Sequence, residues 1–198
     1  MNTNIFDDLG TDEAAALTRL HRRLVHDADG ADLLDVAYRT IDTPVGTLLL
    51  AATTAGLVRV AYDVEGHDAV LAGLADRISP RVLRAPARLD SVARQIDEYF
   101  AKRRTVFDVP VDLRLAEGFR RNVIEHLRDI GYGRRESYAA VAAAIGHPRA
   151  VRAVGTACAH NPLPVVIPCH RVVRSDGSTG QYVGGPLAKS TLLDLEAA

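Results

Sequence analysis

The chain has 198 residues, 47% of them hydrophobic and 25% charged, with a formal charge of −1. That is ordinary globular composition, enough for one large domain or two small ones. Two cysteines, Cys158 and Cys169, exclude a disulfide framework. No ligand-spaced Cys/His set points to structural zinc, and the longest apolar runs fall far short of the roughly 20 residues that a membrane helix needs.

No basic segment followed by an apolar one opens the chain, so a signal peptide is not expected and a reducing, cytoplasmic setting fits. The near-neutral total hides an asymmetry. Residues 1–32 carry seven acids against three arginines, whereas from Phe119 onward nine arginines and Lys189 stand against six acids. A basic C-terminal part suits a polyanionic partner there.

In residues 1–32, "TDEAAALTRLHRRLVHD" places Leu17, Leu20 and Leu24 at helical spacing after Thr11. This predicts one amphipathic helix with Thr11 as its cap. Residues 34–63, "LDVAYRTIDTPVGTLLLAATTAGLVRVAYD", are β-branched and punctuated by Pro44-Val45-Gly46 and Ala55-Gly56. They read as three strands joined by tight turns, hence a small antiparallel sheet. Helical pieces follow around 67–78 and 88–103, the second with Val92, Ile96, Tyr99 and Phe100 on one stripe. "TVFDVPVDLRL" (105–115) is predicted to be extended and to serve as a linker.

From Ala116 the period is helical again. Phe119, Val123, Leu127 and Ile130 form a stripe, with Gly131 as the expected C-terminal glycine. Ser137 is placed to cap "YAAVAAAIG", and Pro148 to open "PRAVRAVGTACAHN". Two short helices split by "GHP" predict a helix-turn-helix, the second helix displaying Arg149 and Arg152. "LAKSTLLDLE" closes the chain as a helix. The fold expected is an α/β (α+β) N-terminal part with a small antiparallel sheet, then a mainly helical C-terminal domain. The boundaries drawn are an acidic extension at 1–32, a sheet domain at 33–108 and a helix-turn-helix domain at 109–198.

The chemistry concentrates in "NPLPVVIPCHRVV", Asn161 to Val173. An apolar run, Val165-Val166-Ile167, reads as a buried strand that stops at Pro168 and delivers Cys169 to an edge. A free cysteine is ordinarily a small buried hydrophobe, and Cys158, inside a helix, is read so. Cys169 is flanked by His170 and Arg171, groups that a purely structural site does not need. A thiolate is the reactive form, and an imidazole or positive charge favours it. Neighbours on a strand face opposite ways, so His170 can serve Cys169 only across a kink or through a water. Such a base also wants an orienting group, and Glu196 is the candidate.

"IPCHRVV", preceded by "HNP" and followed by "DGSTGQYVGG" and "KSTLLDLE", resembles the signature of the O6-alkylguanine-DNA alkyltransferases, also called methylated-DNA–protein-cysteine methyltransferases. The resemblance runs from about Leu34 to Ala198. It implies a DNA repair protein that turns O6-alkylguanine out of the duplex and moves the alkyl group irreversibly onto its own cysteine, once per molecule. By the same resemblance Cys169 is the acceptor, His170 a base acting through water, Glu196 its support, and Asn161 the hinge that ties the cysteine segment to the recognition helix. Tyr138, Arg152 and Ser175 match DNA contacts, with Arg152 filling the gap in the stack. Tyr182 and Val183 lie where the alkyl and guanine pocket is built.

The implied partner is double-stranded DNA carrying O6-alkylguanine, with O4-alkylthymine left open. No metal, cofactor, membrane or protein partner is expected, and the protein is expected to be a monomer. Small residues on the second helix (Ala150, Ala153, Gly155, Ala157) suit entry into a minor groove and predict weak sequence preference with phosphate-dominated affinity. The chain departs from the family pattern in having "FRRNVI" at the first C-terminal helix and no tryptophan. It also shows no cysteine cluster ahead of the domain, which implies no phosphotriester-sensing module. Two other classes fit parts of the pattern: a helix-turn-helix damage sensor or regulator without chemistry, and a Cys-His hydrolase, which would need an oxyanion hole and turnover.

Overall fold

A computed structural model describes residues 5–197, with backbone alone for residues 5–12. Strand β1 (Val36–Thr43) pairs antiparallel with β2 (Gly46–Thr53), and β2 with β3 (Gly56–Tyr62). These are the three predicted strands. A fourth, β4 (Val82–Arg84), adds parallel to β1, so the sheet is mixed, in the order β3-β2-β1-β4. Sequence patterning had no means to find β4: three residues show no period.

The central strand explains its own composition. Leu48, Leu50 and Ala52 of β2 face one core, and Leu49 and Ala51 face another. With both faces covered, the strand reads as a continuous apolar run rather than an alternating one. Each leucine is fully buried, contributing about 1.5–3 kcal/mol. One face carries α2 (His67–Arg77) through Leu74. The other carries α3 (Asp90–Phe100), whose Val92, Ile96 and Tyr99 are the predicted stripe. The core on the α3 side continues without a break into the C-terminal helices.

The acidic extension is one helix, α1 (Ile5–Gly30). It begins upstream of Thr11, which is therefore not its cap. Nor do the leucines make its contact: Leu17, Leu20 and Leu24 are 60%, 63% and 54% exposed. Val25 and Ala28 pack instead, beside Leu34, Ala37 and Ala85. His21 Nε2 lies 2.6 Å from the Arg84 carbonyl, and Arg88 pairs with Asp29.

Of the predicted extended stretch 105–115, residues 107–113 run without turn or helix while 105–106 bend and 114–115 turn, and the stretch is pinned. Leu57 N–H donates to the Pro110 carbonyl at 2.9 Å and Asp112 N–H to the Leu57 carbonyl at 2.8 Å. The approach at Gly56 is so close that a Cβ there would lie 2.4 Å from the Pro110 oxygen, and its φ is +140°.

Beyond the connection, α4 (Gly118–Leu127), α5 (Tyr138–Ala144) and α6 (Val151–Ala159) pack on one another. Ser137 caps α5 as predicted, its Oγ accepting from Ala140 N–H at 3.0 Å. Gly146 stops it with φ +78°. Two details differ. Gly131 does not adopt positive φ; α4 unwinds through tight turns over residues 128–130, and the left-handed glycine is Gly133. Pro148 lies in the turn between α5 and α6, not at the start of α6. A two-residue parallel ladder joins β5 (Glu136–Ser137) to β6 (Val172–Val173), and α7 (Gly185–Glu196) closes the fold. No helix among the described residues is long and apolar enough to cross a membrane.

Replacing Gly56 with alanine should force both the clash with Pro110 and a left-handed alanine, lowering stability by about 3 kcal/mol. A urea or thermal denaturation curve of the variant beside the parent measures it.

Candidate active site

Asn161 to Arg171 is not a strand. Val165 takes φ +72°, a left-handed conformation that a β-branched residue adopts only under constraint. The chain turns there, Ile167 N–H donating to the Leu163 carbonyl at 2.8 Å, and Cys169–Arg171 form one 3-10 turn after Pro168. The predicted edge delivery by a strand is thus replaced by a folded turn, which removes the objection that Cys169 and His170 must face opposite ways.

Asn161, directly after α6, holds this turn. Its Nδ2 donates to the Ile167 carbonyl at 2.8 Å and to Cys169 Sγ at 3.1 Å, while its Oδ1 accepts from Leu163 N–H at 3.0 Å. One buried amide therefore satisfies both ends of the turn and touches the sulfur. Cys169 is 1% exposed. Burial pushes its thiol up to about 11, against the Asn161 hydrogen bond and the Lys189 charge, which pull it down. Adjacency to an imidazole and a positive charge would favour a thiolate, but burial outweighs it and the resting group is a neutral thiol in a polar setting.

His170 is fully buried, and its Nε2 lies 3.0 Å from Glu196 Oε1. A carboxylate only accepts, so Nε2 carries the proton and Nδ1 presents its lone pair. Nδ1 is buried and has no hydrogen-bond partner among the described residues. Burial lowers the pKa of the ring, against the hydrogen bond and charge of Glu196, so the imidazole is neutral.

Glu196 is the polar centre. It accepts from Tyr99 Oη (2.7 Å), His170 Nε2 (3.0 Å), Arg171 Nε (2.9 Å) and Nη2 (2.8 Å), and Gly133 N–H (3.1 Å). Burial alone would push the carboxyl up, but the hydrogen bonds from His170 and Arg171 hold it well below its ordinary value. Arg171 also donates to the Ile130 carbonyl and lies 5.9 Å from the Tyr132 ring centroid.

Lys189, assigned no role from sequence, is completely buried. It donates to the Val172 carbonyl at 2.7 Å and sits 5.8 Å from the centroid of Tyr138. Burial lowers its pKa, while the sulfurs of Cys169 and Cys158 act the other way. Helical spacing does hold the signal: Lys189, Leu192, Leu193 and Glu196 follow i, i+3, i+4, i+7 and all are buried on one face of α7. Tyr99 stood out only as part of an apolar stripe and Arg171 only as a neighbour of Cys169, and no local spacing ties either to Glu196.

The remaining predicted residues differ in burial. Tyr138, at the start of α5, is half-buried, and burial pushes its phenol up to about 12, so it stays protonated. The 174–183 loop folds onto it: a Cβ at Gly180 would lie 2.9 Å from the Tyr138 hydroxyl. Tyr182 and Val183 are half-buried, and the Tyr182 ring stands edge-on to His170 with centroids 6.4 Å apart. Arg152 and Arg149 are exposed on and before α6, and Ser175 is exposed in the loop. Of the small residues expected on the outer face of α6, Ala153 is exposed but Ala157 is buried in the core. Cys158 is a buried thiol that burial pushes up further still, as its structural reading implies.

A free-energy consequence follows for Glu196. Its folded pKa is depressed, so its contribution is complete above about pH 4.3, the ordinary value, and fades as pH falls below it. Glu196→Gln should cost about 3 kcal/mol or more at neutral pH, because it leaves the buried Arg171 unpaired. It should also flatten the acid limb of a plot of denaturation midpoint against pH.

Comparison with known proteins covers both halves of the chain. Residues 36–113 match a family model described as the 6-O-methylguanine DNA methyltransferase ribonuclease-like domain, and residues 118–198 match the DNA binding domain of the same family. A methylated-DNA–protein-cysteine methyltransferase of Mycolicibacterium paratuberculosis is 38% identical over 161 residues, which are 81% of this chain and 92% of that one. One from Methanosarcina barkeri is 38% identical over 162 residues, 80% of this chain and 96% of that one. The crystal structure of Mycobacterium tuberculosis O6-methylguanine methyltransferase superposes with a TM-score of 0.72 at 36% identity, covering 82% of this chain and 93% of that one. The same organism's protein in complex with DNA gives 0.70 at 36% identity, covering 81% and 92%. Helix α1 lies outside both matched regions. With its turn-borne cysteine, its histidine and its glutamate held as described, the chain belongs to the 6-O-methylguanine DNA methyltransferase family.

Proposed function

We propose that this protein repairs DNA by taking the alkyl group of O6-alkylguanine onto Cys169. The observation that carries the reading is the buried set of sulfur, imidazole and carboxylate. Asn161 touches Cys169 Sγ, the neighbouring His170 offers an unpartnered Nδ1, and Glu196 holds the other ring nitrogen. A neutral thiol needs a base only at the moment of reaction. His170 Nδ1, through one bridging water, takes the thiol proton as the S–C bond forms. The C–O6 bond breaks, its electron pair stays with guanine, and guanine takes up a proton as it leaves. Glu196 stabilises the imidazolium formed meanwhile.

The thioether product has no base-assisted route back, so each molecule acts once. Sulfur substitution closed by proton transfers requires no metal or coenzyme. The reading takes the protein as a cytoplasmic monomer that needs no protein partner.

The oxygen under attack lies inside a duplex, so the nucleotide must leave the stack at a cost of a few kcal/mol. Arg152, exposed on α6, is the group we assign to the vacated space, with Tyr138 and Ser175 at the flanking phosphates. Residues 109–198 thus supply both DNA contact and acceptor, and residues 33–108 support them. Because Cys169 is 1% exposed, base entry requires the 174–180 part of the loop, where Gly180 lies against the Tyr138 hydroxyl, to move aside. The pocket then forms between Tyr138, Tyr182 and Val183.

Incubation with a duplex oligonucleotide containing O6-methylguanine tests the reading directly. The peptide containing Cys169 should gain one CH2, saturating at a single group per protein. Cys169→Ser should abolish the gain and Cys158→Ser should keep it. His170→Gln should slow transfer by about a hundredfold or more. DNA binding without mass change would instead make the protein a damage sensor, and repeated turnover would make it a hydrolase.

A further inference from the structure

The pocket wall is held from the other half of the molecule. Tyr62, the last residue of β3, is 2% exposed, and its hydroxyl lies 3.0 Å from that of Tyr182. Their rings meet edge to face, centroids 5.7 Å apart and planes at 76°. Tyr182 also stands edge-on to His170, so it is placed between the N-terminal sheet and the base beside Cys169. The Tyr62 ring presses on the chain just after the wall: a Cβ at Gly184 would lie 2.6 Å from its Cε1 and Cζ.

Tyr62 is itself fixed. Its N–H donates to Glu65 Oε1 at 2.8 Å, and the other Glu65 oxygen pairs with Arg59. Arg59 Nη1 donates to the Val60 carbonyl at 3.0 Å and the Pro162 carbonyl at 3.2 Å, and Val60 N–H donates to Pro162 at 2.8 Å. One strand end therefore grips both the turn that follows Asn161 and the tyrosine opposite it. The wall has little stiffness of its own, since Gly177, Gly180, Gly184 and Gly185 interrupt the segment around it. Both phenols keep their protons, because burial pushes each of them up.

We propose that Tyr62 is a specificity-determining residue that acts by positioning: its hydrogen bond holds Tyr182 in place and so limits the size of the alkyl group that reaches Cys169. The inference rests on the alkyl-transfer reading above, in which Tyr182 lines the pocket. It assigns the N-terminal sheet a part in substrate selection as well as in folding.

Second-order transfer rates from duplexes carrying O6-methylguanine and O6-benzylguanine test it. In Tyr62→Phe the benzyl-to-methyl ratio should rise about three- to tenfold, the factor associated with one neutral hydrogen bond. On a Tyr182→Phe background the same change should add nothing, because the bond is already gone. Gly184→Ala, which pushes on the Tyr62 ring, should move the ratio in the same direction. Melting temperatures taken in parallel separate selectivity from folding. A variant that melts early but keeps the parental ratio overturns the inference, as does a shift of equal size with and without the Tyr182 hydroxyl. Parental protein that takes an alkyl group normally while Tyr62→Phe keeps its ratio defeats this inference alone. Parental protein that takes none from either duplex defeats the alkyl-transfer reading, and this inference with it.

Discussion

A carboxylate buried two residues from the chain end organises the site. Glu196 is out of water and ionised, which is tolerable only because all its acceptor capacity is engaged. Tyr99 comes to it from α3, Gly133 from the loop after α4, and His170 and Arg171 from the cysteine turn. Four separate segments therefore have to be in register before the charge is satisfied. Such a node is a poor source of net stability, since apolar residues of the same volume would serve as well. What it supplies is a unique arrangement: the tautomer of His170 is set, and with it the direction in which the ring can accept a proton.

The same burial governs the sulfur. A thiol raised to about 11 is nearly inert to solutes at neutral pH, since the thiolate is the nucleophile. In the proposed reaction, reactivity depends on a substrate that sits against the sulfur while the base draws off its proton. Lys189 and the Asn161 amide keep the pKa from rising further. The polar lining thus allows the charge to appear transiently, while exclusion of water keeps it from persisting.

The N-terminal sheet is more than a neighbour of this site. Its inner face and the C-terminal helices form one continuous core, from Leu48 and Tyr62 through Ile124 and Val154 to Cys169 and Leu192. Two phenol hydroxyls reach the site from the N-terminal half, Tyr99 of α3 to Glu196 and Tyr62 of β3 to Tyr182. The segment between the halves, although extended, is hydrogen-bonded to β3 on both sides of Val111. The segment after Arg174, by contrast, is exposed through Ser178 and interrupted by Gly177 and Gly180.

Much of this was legible in the residues themselves. Three strands, the stripes of α3 and α4, the Ser137 cap and the run Cys169-His170-Arg171 depend on local spacing, which a sequence displays directly. Glu196 was reachable as an orienting group, and the buried face of α7 was open to the same periodicity that would have marked Lys189. What the linear order hid were choices made between distant segments. Val165 looks like a strand residue until the Asn161 amide, closing both ends of its turn, makes a left-handed valine the lower-energy arrangement. Leu17, Leu20 and Leu24 look like a buried stripe until the sheet edge takes Val25 and Ala28 instead. The thiol looks ionised beside histidine and arginine until burial and Glu196's claim on both groups leave it neutral. Local pattern, in short, selects helices, turns and reactive residue types. Which groups lose water, and therefore which charges survive, is set only when remote surfaces meet, because desolvation is a property of the assembled interior.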